Sequence, residues 1–401
     1  MLGTGRDTGH LRGFTNVELA DAYQPIVAEV NELLPDGAVV VDAHTHLGRD
    51  EDGQKLTLEQ LISFLDSVSP TAHACAFPLH DPERAPAYRV PNDRVLQWAQ
   101  ESGGRVYPYC RLDPADDPVA EAERCLARGA RGIKLHPRAQ AFGFGDSAAE
   151  SIWKVAQEAK VPILIHAGRG MPRMDPLADL ALRFPDVVLV LAHAAIADQG
   201  MFASRLADHP SILYDTSTFS VFDILELFAR VPAERIVFAS DVPYGRTFAA
   251  LHTMLRIATY AGLDERECGA LVGGTMLDVL EGRPLAEPVA PRVPEVRRIS
   301  GRLARVNMYL VMSFAAALGS GPPPDFTRSL QFIALARAAC RDPDPGPVGP
   351  ALERIDSLLS AAEPLVTGGG DDARAAFGLV IAAGVTAATE PLAAVPSAVD
   401  G

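Results

Sequence analysis

Basic residues are in short supply. The 401 residues contain 36 Lys and Arg against 51 Asp and Glu, a net charge of −15. Phosphate contacts need a basic surplus, so a broad nucleic-acid-binding surface is excluded. Cysteine is scarce and scattered: Cys75, Cys110, Cys125, Cys268 and Cys340 form no CxxC pair. An odd, dispersed set argues against a disulfide framework and for a reducing compartment. The longest apolar runs, near 308–318 and 375–388, fall short of the roughly 20 residues that span a bilayer. The opening stretch MLGTGRDTGHLRGFTNVELADAY lacks the apolar core of a signal peptide. These absences lead to the expectation of a soluble, cytoplasmic protein with neither a membrane nor a nucleic-acid partner. Histidine is also sparse, ten in all, but half of the ten fall at the ends of apolar runs.

What the chain does have is apolar content, 48% of its residues, with a slightly positive mean hydropathy. That is enough to bury a large core and is unlike a disordered chain. Between about 36 and 243 one pattern recurs: a short run rich in Val, Ile and Leu, a polar residue closing it, then an amphipathic stretch. The runs are 38–46, 72–77, 105–112, 130–136, 162–168, 187–194, 212–217 and 235–241. Near-continuous apolar runs suit parallel strands buried on both faces. The stretches between them have helical spacing, as in 147–160, with Ile152, Val155 and Ala159, and in 221–231, with Val221, Ile224, Leu225 and Phe228. Each interval between strand ends holds one helix and one strand. Eight such units predict an α/β fold, a (β/α)8 TIM barrel with its last helix at 248–263. A doubly wound sheet is the alternative, but no GxGxxG follows the first run.

Composition divides the chain further. Residues 1–35 read as a helical lead-in, 36–284 as the barrel, and 285–294, with three prolines, as a linker. Residues 295–390 read as a helical appendage of three or four helices, with Leu303, Val306, Leu310 and Phe314 at helical spacing. Residues 391–401 are expected to be a disordered tail. From 286 onward there is no histidine or lysine, so the appendage is not expected to take a direct part in chemistry. It could cap a barrel mouth, bind a partner protein, or make a homo-oligomer.

The chemistry sits at strand ends. In Asp42-Ala43-His44-Thr45-His46, the two histidines are two residues apart and share a strand face. Both then point into the barrel mouth, where they can grip one metal ion. HxH alone is a weak signal. His136, His166, His193 and Asp241 also close strands, and imidazole with carboxylate suits Zn²⁺ and related ions. Any one of these residues, taken alone, reads equally as a hydrogen-bonded core histidine or a capping aspartate.

The ordered set DAHTHLG, PILIHAG, VLAHA and FASDVPYG, over roughly 36–282, resembles the amidohydrolase superfamily. The amidohydrolase-related branch, which includes decarboxylases, looks closest. The resemblance implies one or two divalent ions, zinc first among them. It implies metal ligation by His44, His46, His166 and Asp241, with His193 as a further ligand in a binuclear site or as the group orienting the attacking water. Lys134 stands where some members carry a carboxylated lysine bridging two metals; an ion-paired or snorkelling lysine is the other reading. Asp241 is expected to act as general base alongside His193. Asp42 is either a partner of a ligand or a structural carboxylate. Where relatives often have Gly-Asn, this chain has Gly273-Gly274-Thr275.

For the substrate, a small molecule, the loop arginines Arg49, Arg138, Arg169 and Arg246 lie just past strand ends. Arginine grips carboxylates at two points, so Arg138 and Arg169, with His136, are the expected substrate contacts. Surface ion pairs are the other reading. His80 and Tyr244 are further loop candidates. The activity expected is hydrolysis of a C–N or C–O bond, amide or lactone, in a small carboxylated substrate by metal-activated water. Non-oxidative decarboxylation or hydro-lyase chemistry on the same residues is the alternative. A non-catalytic binding or assembly module is the reading from another class.

Overall fold

A computed structural model describes residues 17–145, 147–168, 170–171, 173–218, 220–292, 300–319, 325–341, 343 and 345–390. Arg169, the end of the expected linker and the expected tail lie outside these residues. The chain forms two compact units. One takes Leu34–Leu251 and Leu263–Arg292; the other takes the helix Val17–Leu33, His252–Gly262 and the described residues beyond Val293.

The first unit is the expected barrel. Its strands are β1 (Val41–Arg49), β2 (Lys55–Leu56), β3 (His73–Pro78), β4 (Val106–Arg111), β5 (Gly132–Leu135), β6 (Ile163–Ile165), β7 (Leu189–Leu191), β8 (Ile212–Asp215) and β9 (Ile236–Val237). β2 is a short antiparallel edge on β1; the other eight run parallel in sequential order. The barrel closes through Ala43 N–H to Phe238 O (2.9 Å), Asp241 N–H to His44 O (2.9 Å) and His46 N–H to Val242 O (2.9 Å). Each of the eight runs read from the sequence overlaps one of these parallel strands, and six contain it whole; β1 continues past its run to Arg49 and β3 to Pro78.

Leu164, Val190 and Leu213 stand in register across β6, β7 and β8 and fill the interior with Val41, Ala43, Cys75 and Tyr109. Side chains paired across parallel strands face the same way, so this aliphatic layer forms a floor beneath the C-terminal ends. Capping boxes start two helices: Thr57 with Gln60 at Leu58–Asp66, and Asp264 with Glu267 at Glu265–Gly269. The Pro-rich stretch expected to be a linker lies along this unit as far as Arg292. Arg235 Nη1 donates to Ala286 O at 2.8 Å, and Arg292 Nη2 meets Glu267 at 2.9 Å.

Gly273 has a close neighbour. A Cβ there would lie 2.1 Å from Val39 O and 2.7 Å from Val41 N, at the foot of β1. Backbone atoms cannot swing aside as a side-chain tip can.

The second unit is helical, as expected of the appendage: Gly301–Leu318, Leu330–Cys340, Gly349–Gly368 and Gly370–Thr389, with Val17–Leu33 among them. Leu303, Val306, Leu310, Ile333, Ile355, Leu359 and Leu379 are buried. Asp372–Thr389 is apolar and long enough to cross a membrane, but 78% of it is buried within the fold, as a core helix would be. Glu29 ties its own helix to two others of this unit, through His252 Nε2 at 2.7 Å and Arg256 on one and Arg354 on the other. Burial alone would raise its carboxyl, but the His252 hydrogen bond and the two guanidinium charges outweigh that and hold it at about 2.

This packing is open to two tests. Gly273→Ala is expected to lower stability by about 1–3 kcal/mol through overpacking. Gly269→Ala, with open space at its Cβ, should be neutral or stabilising; urea midpoints at unchanged slope check both. Because the folded pKa of Glu29 lies below its unfolded value, its contribution is present above about pH 4.5 and lost as pH falls toward 2. Acid titration of unfolding free energy should therefore fall less steeply in Glu29→Gln than in the wild type.

Candidate metal centre

The first strand is not regular. Relative to β3, β1 carries one extra residue between Asp42 and Thr45. This bulge resets the alternation of side chains. Val41 and Ala43 face the interior floor, and His44 and His46 face the interior above them. His46 then lies in register with Phe77 and packs edge-on against its ring at 4.6 Å. The pairing of His44 with His46 expected from spacing holds, but their joint burial beneath the mouth depends on the bulge.

Closure brings the far end of the barrel sequence to these histidines. His44 Nε2, His46 Nε2 and Asp241 Oδ1 lie 3.0–3.3 Å from one another. Lys134 Nζ sits 3.3 Å from His44 Nε2 and 4.5 Å from the centre of the Phe77 ring. Lys134 is fully buried, so it does not snorkel, and among the described residues no carboxylate lies within ion-pair distance of it. Burial lowers its ammonium to about 7, with Asp241 opposing.

The sequence reading missed Asp215. It ends β8 and is fully buried. Its Oδ2 accepts from His44 Nδ1 at 2.8 Å, and its Oδ1 accepts from His193 N–H at 2.8 Å and Ser217 Oγ at 2.5 Å. The signal was available: a carboxylate closing an otherwise apolar strand. Asp215 fixes His44 with its proton on Nδ1, which leaves the Nε2 lone pair facing His46 and Asp241. Burial would raise the Asp215 carboxyl, but His44 and the hydrogen bonds hold it below the usual range. His44, His193 and Asp215 also gather ligand-type atoms, yet their hydrogen bonds make them a supporting hub.

His193 follows β7 in a left-handed backbone (φ 58°). Its Nδ1 lies 2.7 Å from Ser217 O, so that nitrogen donates and Nε2 faces His166 Nδ1 at 2.9 Å. His166 stacks on His136, ring centres 3.9 Å apart. Thus His44, His46, Asp241 and Lys134 converge, while His166, His193 and His136 form a neighbouring row. Asp42 accepts from Ser240 N–H (2.9 Å), Ser240 Oγ (2.5 Å) and His44 N–H (3.3 Å), locking β1 to the residue before Asp241. Burial raises Asp42 to about 7.

Burial lowers His44 to about 3, and puts His46 and His166 well below the usual imidazole range. Neutral imidazoles are the metal-binding form. Burial raises the Asp241 carboxyl, with the Lys134 charge opposing. Two imidazole lone pairs and a carboxylate oxygen facing one another, with the His44 tautomer set from behind, fit a divalent cation.

The loop candidates scatter. Arg49 pairs with Glu83 at 3.2 Å, Arg138 is exposed, and Arg246 donates to Pro243 O and Gly245 O at 3.0 Å. Tyr244 packs edge-on to His46 at 5.4 Å and donates to Asp50 at 2.5 Å. His80 meets the Tyr88 hydroxyl at 2.6 Å.

A parallel eight-stranded barrel with imidazoles and a carboxylate converging at its C-terminal ends defines the class of metal-dependent barrel enzymes. A family model described as amidohydrolase matches residues 41–274, more than half of the chain, and the protein belongs to that amidohydrolase family. Solved structures similar in fold include 4-oxalomesaconate hydratase from Rhodopseudomonas palustris, 17% identical at a TM-score of 0.47, covering 61% of this chain and 96% of that one. Another is 5-carboxyvanillate decarboxylase from Sphingomonas paucimobilis, 11% identical at 0.43, covering 61% and 99%. A third is a probable 2-pyrone-4,6-dicarboxylic acid hydrolase from Acinetobacter baumannii, 14% identical at 0.48, covering 60% and 99%. No curated protein matches the chain.

Asp215→Asn is expected to weaken divalent-metal affinity about 10–100-fold without unfolding the chain. Chelator competition alongside circular dichroism checks this; unchanged affinity would remove Asp215 from the site.

Proposed function

We propose that this amidohydrolase-type enzyme hydrolyses a C–N or C–O bond, of amide or lactone type, in a small carboxylated substrate. The observation that carries the reading is the mutual approach of His44 Nε2, His46 Nε2 and Asp241 Oδ1 to within 3.0–3.3 Å. These three are the proposed ligands. His166 and Lys134 are candidates to complete the shell, Lys134 if carboxylated and His193 if two ions bind. Zinc is the ion proposed first. When bound, it supplies Lewis acidity and makes water more acidic near neutral pH.

The chain's own residues do the rest. Asp241 takes a proton from the attacking water at its carboxylate and returns it to the leaving group. His193, whose Nε2 meets His166 Nδ1 at 2.9 Å, orients water or stabilises developing charge together with that neighbour. Asp215 holds His44 in one tautomer throughout. His136, Arg138 and Arg169 remain proposed substrate contacts. The five cysteines, all free and those described all buried, support a reducing, cytoplasmic setting.

One observation favours the second reading, decarboxylation or hydro-lyase chemistry. His193 Nε2 meets His166 Nδ1 and stands outside the His44–His46–Asp241 trio, which fits a single ion with His193 as a non-ligand, the arrangement that leaves decarboxylation open.

The deciding experiment joins metal analysis of protein purified without chelator to a screen of carboxylated amides, lactones and aromatic acids, scored for hydrolysis and for CO₂ release. Stoichiometric metal and hydrolysis are expected. Asp241→Asn should lower turnover about 10²–10⁴-fold. Protein without stoichiometric metal would sink the reading and favour a binding module; full activity after exhaustive chelation would sink it in favour of metal-independent catalysis.

A further inference from the structure

Arg111 is the last residue of β4 and stands in register with Lys134 of β5. It therefore shares the interior face, on the side of the mouth next to Lys134 and Phe77. Its side chain is 1% exposed. Asn92 clamps its backbone from both sides: Arg111 N–H donates to Asn92 Oδ1 at 2.9 Å, and Asn92 Nδ2 donates to Arg111 O at 3.0 Å. The guanidinium lies 5.2 Å from the centre of the Tyr88 ring. Nη1 donates to Pro78 O at 3.2 Å, and Nη2 reaches His80 Nδ1 only at 3.4 Å. Nε has no partner. The buried carboxylate of Asp50 is engaged elsewhere, by the Tyr244 hydroxyl (2.5 Å) and Gln54 N–H (2.7 Å). Among the described residues no carboxylate lies within ion-pair distance of Arg111.

A guanidinium remains charged in proteins, and burying that charge without a counter-charge is costly. Here the surroundings hold it rigidly through neutral groups and leave one edge, Nε with Nη2, without a strong acceptor. That edge matches the two oxygens of a carboxylate. We propose that Arg111 anchors the carboxylate of a small organic acid in the barrel mouth. The inference rests on the enzyme reading above and names its substrate handle, which the sequence had placed on loop arginines.

The test uses the purified protein with its metal, titrated calorimetrically with benzoate and succinate and with their neutral amides, benzamide and succinamide. At least one acid should bind the wild type about tenfold or more tightly than its amide. Arg111→Met should abolish that preference. Arg111→Lys, which keeps the charge but not the two-point edge, should weaken acid binding about tenfold. If Arg111→Met fails to fold by circular dichroism, the lysine variant decides alone. Acid binding unchanged in the folded Arg111 variants, or lost only in Arg138→Ala, would overturn the proposal. So would a wild type indifferent to acid and amide. Metal content measured on the same samples separates the two readings. A metal-free wild type that prefers the acid defeats the enzyme reading and keeps the anchor; a metal-loaded one without the preference defeats only the anchor.

Discussion

Three backbone hydrogen bonds between β1 and the segment 238–242 hold the functional geometry together. His44 and Asp241 are far apart in the chain, and the segment between them builds β2 to β8 before β9 returns it to β1. The carboxylate of Asp42 strengthens the junction by taking both donors of Ser240. A cation between His44, His46 and Asp241 would lie across this same seam. Binding there favours the closed barrel over any opened form by mass action, so metal affinity and barrel stability are linked.

Within the mouth, charge is concentrated where water is scarce. Lys134, Arg111, Asp42, Asp215 and Asp241 are all buried. Asp215 and Asp42 are saturated with hydrogen bonds, so their negative charge or their protons are accounted for locally. Lys134 and Arg111 are not matched in this way: one rests on an aromatic face and an imidazole nitrogen, the other on an aromatic face and a carbonyl. An anion from solution, as proposed for Arg111, would supply the counter-charge that these groups lack. Such a locally cationic mouth is compatible with an anionic small substrate in a chain of net charge −15.

Much of this was legible in the sequence. Strand positions could be read from apolar runs, because a parallel barrel buries both faces and tolerates few polar residues inside a stave. His44, His46 and Asp241 were legible because ligand-type residues stood at strand ends. The bulge in β1 was not, since an inserted residue changes register without changing composition. Asp215 and Arg111 were passed over for a related reason. Each closes an apolar strand, yet its role depends on a partner from another strand, or on the lack of one, which one-dimensional spacing does not carry. The loop arginines drew notice by proximity in sequence, whereas the described ones lie exposed or are satisfied by nearby carboxylates and carbonyls. The grouping of Val17–Leu33 and His252–Gly262 with the C-terminal helices was equally hidden. It rests on contacts such as Glu29 with His252 and Arg354, between segments remote in sequence.

Part of the backbone strain falls in the same region, though Asp117, Ala141 and Lys160 carry positive φ elsewhere. Tyr88, His193, Ala194, Ala195 and Asp241 all hold left-handed angles (φ 52–58°), which non-glycine residues adopt at a cost of order 1–3 kcal/mol each. Tyr88 shields Arg111, His193 faces the histidine row, and Asp241 completes the trio. A strained residue persists only where its surroundings over-determine it. Here they do so through the Asp215 hub for His193 and the β1 seam for Asp241. Rigid barrel staves and their hydrogen-bonded ends thus absorb strain that a flexible loop would release. The groups facing the mouth are held in position before any ligand arrives, which reduces the ordering cost of binding and leaves more of the interaction energy for the reacting centre.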